Sequence, residues 1–141
     1  MKKIIFLITT LYLITFINFA NANSIVPLKE YLEKKNIEEG SIQIYLLNRC
    51  SAVYAYASAI ILKTNVLTSK KFIEKANNLL FKSVELMVIE EEKKLEVAQK
   101  KAEKKRKELF NKYIIDGKKN WEKNKSHFKG SYISGDMSIC S

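Results

Sequence analysis

The sequence predicts an all-α protein: a small helical bundle or hairpin with one long basic helix and a C-terminal tail tied back by a disulfide. Three observations carry this. Apolar residues recur at helical spacing from Phe72 to Tyr113. No Gly or Pro interrupts the chain between Gly40 and Gly117. Two cysteines, Cys50 and Cys140, stand far apart in the sequence and are the only candidates to pair with each other.

The N-terminus sets the compartment. Met1-Lys2-Lys3 is followed by an apolar run from Ile4 to Phe19, broken only by Thr9, Thr10, Thr15 and Asn18, and then by Ala20-Asn21-Ala22. A charged start, an apolar stretch and a small-x-small site in that order read as a secretory signal peptide over residues 1–22. The apolar run sits at the lower length limit of a membrane span, about 17 residues, which favours cleavage over anchoring. Residues 23–141 are then expected to form a single helical domain, because so short a chain supports one modest core. Export implies the periplasm in a Gram-negative cell and secretion otherwise. In such compartments bridges persist, so a Cys50–Cys140 disulfide is expected, and closing a loop of that length stabilises by about 4 to 5 kcal/mol on the loop-entropy model.

Residues 23–40 read as a preface with a short helix. Pro27 suits its start, and Leu28, Tyr31 and Leu32 share one face. Gly40-Ser41 offers the next N-cap, with Asn36 and Glu39 as a competing capping box. From Ile42 to Lys63 the chain is apolar nearly all round, so this helix is expected at the centre of the fold. Its small residues Ser51, Ala55, Ser58 and Ala59, beside Tyr45, Tyr54 and Tyr56, suit close helix packing; a ligand pocket along the same face is the sharper alternative.

After a connection at Asn65 to Ser69, with Thr68 or Ser69 as N-cap, the spacing favours one continuous helix from about Lys70 to Ile115. Its middle is highly charged but carries acid-before-base pairs such as Glu96 with Lys100 and Glu103 with Lys107, and no residue that turns prefer. Gly117 reads as the glycine just past its end, Lys118 to Phe128 as a further short helix, and Gly130 to Ile139 as a loop-like tail.

Catalytic sets are missing from the sequence. A single histidine, His127, rules out sites with two or more histidine ligands, and four glycines, none in a phosphate-cradling motif, give no nucleotide loop. No catalytic residue, metal ligand or cofactor is therefore assigned. The unusual feature is charge placement: residues 23–92 balance, whereas 93–129 carry 14 basic against 5 acidic side chains. Such a run is ordinarily a solvated helix face. Its functional reading is an anion-binding surface built on Lys100, Lys101, Lys104, Lys105, Arg106 and Lys107, with an envelope protein, lipid headgroups or another polyanion as partner and no specific nucleic acid.

The sequence thus points to an exported, non-catalytic interaction protein using residues 93–129. The alternative is a small-ligand carrier with a pocket along the central helix, residues 42–63. One further pairing is expected. Arg49 is the one charge inside the apolar helix, and the bridge would carry Asp136 towards it, as an ion-pair partner or as part of a turn whose carbonyls Arg49 caps. Snorkelling of Arg49 to solvent is the other outcome.

Overall fold

A computed structural model describes residues 25–141. The assigned leader, residues 1–22, lies outside the described residues. Five helices follow in order: α1 (Leu28–Glu33), α2 (Gly40–Ile61), α3 (Val66–Glu90), α4 (Leu95–Asn124) and α5 (Tyr132–Ile139). The chain is all-α, and the Cys50–Cys140 disulfide ties the C-terminal segment to the middle of α2, with Cα atoms 5.4 Å apart.

The three long helices form an up-down-up bundle. Ser58 meets Ser69, Ser51 meets Ala76 and Asn48 meets Ser83, which sets α3 antiparallel to α2. Arg106 reaches Asn77, and Lys101 reaches Glu91, which turns α4 back along α3. The remaining side of α2 is covered by α5, which in turn packs on α1. Twelve residues of α2 are buried, from Ile42 to Ser58, as its all-round apolarity requires.

Close approach of α2 and α3 is built from small side chains at seven-residue intervals. Ser69, Ala76 and Ser83 are all buried on α3, opposite Ser58, Ser51 and Asn48. Each hydroxyl finds a partner across the seam: Ser51 Oγ donates to the Ala76 carbonyl at 2.7 Å, and Ser58 Oγ to the Ser69 carbonyl at 2.9 Å. Polar groups can be buried here because they are hydrogen-bonded.

Residues 70–115 do not form one continuous helix. The chain reverses at Glu91 to Lys94, where Glu92 takes a left-handed conformation at φ 49° although it is not a glycine. Local sequence favours continuation, but burial decides the matter. Val84 and Met87 on α3 and Ala98 and Ala102 on α4 pack together against Ile44 only if the chain folds back. Unfolding that corner would expose four buried apolar side chains, a larger loss than about 1 to 2 kcal/mol for one left-handed residue.

Gly117 is not a helix end. It lies buried inside α4, and a Cβ there would collide with the Tyr56 hydroxyl. Its lack of a side chain lets Tyr56 lie against the helix backbone. The segment from Lys118 onward therefore continues α4 to Asn124, where Lys125 at φ 55° supplies the left-handed cap. The loop-like tail is also corrected: Ser131 accepts from the Ile133 amide and starts α5. Similarly, Asn65 rather than Thr68 or Ser69 caps α3, accepting from Thr68 N, and Glu39 precedes α2 without a side-chain cap.

Candidate anion-binding surface and cleft

Helix α4 turns a narrow stripe inward: Ala98, Ala102, Leu109, Tyr113, Gly117 and Asn120. Every lysine of the helix is exposed, and Arg106 is half-buried. Over Leu95–Asn124 this leaves ten basic side chains against five acidic ones facing outward or at the edges. Near its C-terminal end, Ile114, Ile115 and Trp121 are also exposed, at 44%, 44% and 47%, beside Lys112, Lys118 and Lys119.

The six candidate anion-binding residues do not share one face. Lys101, Lys104 and Lys105 line a cleft between α2, α3 and α4. Arg106 donates to Asn77 Oδ1 at 2.9 Å on the opposite seam, and Lys107 lies near it. Lys100 is exposed. Lys101 is held by Glu91, with Nζ 2.7 Å from Oε2, and this contact holds the Glu91 carboxyl below its usual range. Lys105 sits 3.9 Å from Glu108, and its ammonium lies 5.9 Å from the Tyr45 ring centroid. Lys104 has no carboxylate within ion-pair distance among the described residues.

The cleft itself has a volume of about 310 Å³, with Ile44, Met87 and the Tyr45 ring as apolar wall and the three lysines, interleaved with Glu91 and Glu108, along its rim. Asn48 completes its inner wall and is fully buried. Its Nδ2 donates to the Ile44 carbonyl at 2.9 Å and to Ser83 Oγ at 2.6 Å. A carbonyl only accepts, so the amide end facing it must be the nitrogen. That leaves Asn48 Oδ1 buried without a hydrogen-bond partner among the described residues. Such an unmatched acceptor costs about 1 to 3 kcal/mol. Tyr54 and Tyr56, by contrast, are buried against Phe72 and Tyr113.

Beside the cleft lies a buried ionic cluster. Arg49 and Asp136 are 0% and 1% exposed, with Arg49 Nη2 2.5 Å and Nε 2.9 Å from Asp136 Oδ2. Tyr113 donates to the same oxygen at 2.6 Å, and Arg49 Nη1 donates to the Tyr45 hydroxyl at 3.2 Å. The other carboxylate oxygen accepts the Leu28 amide at 2.8 Å, satisfying a free N–H at the start of α1. Burial works against the Arg49 charge, but Tyr113 and Asp136 outweigh it and raise the guanidinium pKa. Burial likewise pushes the Tyr113 hydroxyl up.

His127 stacks on Trp121 with ring centroids 5.0 Å apart, and its Nδ1 lies 3.1 Å from the Tyr56 hydroxyl. Burial pushes Tyr56 up to about 12. Asn120 holds the following loop by donating to the carbonyls of Ser126 and Lys129.

Sequence reasoning missed Asn48, Ser83 and Tyr113. The signal for Ser83 was present, since small residues at 69, 76 and 83 match those on α2. Nothing local marks Asn48 or Tyr113: Asn48 is paired with Ser83 across the α2–α3 seam, and Tyr113 meets Arg49 only after the reversal at Glu92. Family models, curated proteins and solved structures provide no match to the chain.

Proposed function

We propose that this is an exported, non-catalytic protein that uses the exposed lysines of α4 to hold an anionic lipid surface. The observation that supports it most strongly is that α4 keeps only a narrow stripe, from Ala98 to Asn120, for the bundle and leaves its lysines exposed. Charges on this scale draw anionic headgroups at about 1 kcal/mol per Lys or Arg near the surface. Exposed Ile114, Ile115 and Trp121 beside Lys118 and Lys119 favour lipid over other polyanions, because aromatic and aliphatic side chains flanked by cations settle at the headgroup boundary.

Export fits the disulfide and the leader-like start of the sequence. No helix among the described residues is long and apolar enough to cross a membrane. Co-sedimentation tests the reading. The protein is expected to pellet with phosphatidylglycerol vesicles and to stay in solution with phosphatidylcholine vesicles. Equal partition onto both, or onto neither, would refute it.

A further inference from the structure

The cleft between α2, α3 and α4 has features that the surface reading does not use. Ile44, Met87 and Tyr45 give it an apolar wall, its open side carries Lys101, Lys104 and Lys105 against only two carboxylates, Glu91 and Glu108, and Asn48 on its inner wall keeps a buried acceptor with no donor among the described residues. We propose that this cleft binds a small apolar acid that carries one hydrogen-bond donor at the end remote from its charge.

Each part of that ligand answers a named group. The acid's charge meets Lys104, the lysine of the three without a carboxylate of its own, while Lys105 stands beside it over the Tyr45 ring. A flat or branched apolar body fills the space against Ile44, Met87 and Tyr45. The remote donor supplies the hydrogen bond that Asn48 Oδ1 lacks. The orientation follows from solvation: a charged group at the inner wall would lose its water, whereas a neutral hydroxyl there loses little and gains a partner. Asn48 is fully buried, so seating the donor requires a small displacement of the wall, and Met87 is the unbranched side chain suited to yield. A volume of about 310 Å³ is at the small end of ligand sites, which limits the ligand to roughly one ring or its aliphatic equivalent.

The chemistry predicts a preference that needs no variant to observe. Para-hydroxybenzoate and benzoate differ only in the remote donor, so calorimetric titration of the disulfide-bonded protein should show the hydroxylated acid binding about tenfold tighter, the equivalent of one hydrogen bond. In nuclear magnetic resonance spectra, para-hydroxybenzoate should shift the Asn48 side-chain amide and the Met87 methyl. Lys104→Gln should weaken both acids, and Asn48→Leu should abolish the preference between them while leaving vesicle binding unchanged. Equal affinity for the two acids, no binding by either, or shifts confined to other residues would overturn the proposal and leave the surface reading standing. A protein that fails on vesicles but discriminates between the acids would do the reverse.

Discussion

Asp136 on α5 closes on Arg49 at the centre of α2, and one carboxylate thereby joins four helices: it also accepts the Tyr113 hydroxyl from α4 and the Leu28 amide from α1. Removing either charge leaves the other buried alone. Arg49→Met and Asp136→Asn should each destabilise by about 3 to 5 kcal/mol, and the double variant should cost less than their sum. Urea unfolding of the four proteins measures this, and strict additivity would refute the coupling.

The disulfide acts on the same junction from the next residue. Cys50 and Cys140 are 90 positions apart, so the bridge removes much of the unfolded chain's freedom. Reduction, or Cys50→Ala with Cys140→Ala, should lower stability by about 4 to 5 kcal/mol and loosen α5 first. Amide exchange at Ile133 and Asp136 reports the second effect. Protection there that is unchanged on reduction would show that the ionic cluster alone holds the tail.

Gly117→Ala tests the contact between α2 and α4. Helix propensity alone predicts stabilisation of about 1 kcal/mol. The Tyr56 hydroxyl occupies the space the methyl would need, so overpacking by about 1 to 3 kcal/mol should prevail. Tyr56→Phe in the same chain should recover part of the loss. A more stable Gly117→Ala protein would contradict this packing.

Alkaline pH should unfold the protein in a defined window. Tyr56 is an acid whose folded pKa is raised from 10.0 to about 12 by burial. The unfolded chain therefore gives up this proton first, and stability falls as pH rises from about 10 to about 12. Tyr113 adds in the same direction. Thermal melts across that range should show a shallower decline for Tyr56→Phe, and an identical slope would exclude the contribution.

The central helix, the preface helix and the bridged cysteines were legible because each rests on local composition or on the count of cysteines. Where the chain turns was not. The reversal at Glu92 has no glycine, asparagine or proline, and its cause lies in the burial of Val84, Met87, Ala98 and Ala102 against Ile44, a relationship that exists only after folding. Gly117 misled for the opposite reason: a glycine kept for close approach by Tyr56 looks in the sequence like a glycine kept for a helix end. The cleft depended on the reversal. Lys101, Lys104 and Lys105 were visible as part of a basic run, but Asn48 and Met87 face them only because α4 folds back along α3.

The fluorescence of Trp121, the single tryptophan of the chain, tests the functional account most directly, because it lies on the basic helix and is half-exposed. Its emission should shift to the blue on phosphatidylglycerol vesicles, and added salt should reverse the shift steeply. Replacing Lys100, Lys101, Lys104 and Lys105 by Gln should weaken binding and flatten its salt dependence. Binding that is insensitive to salt and to these four changes, or no spectral shift at all, would contradict the account.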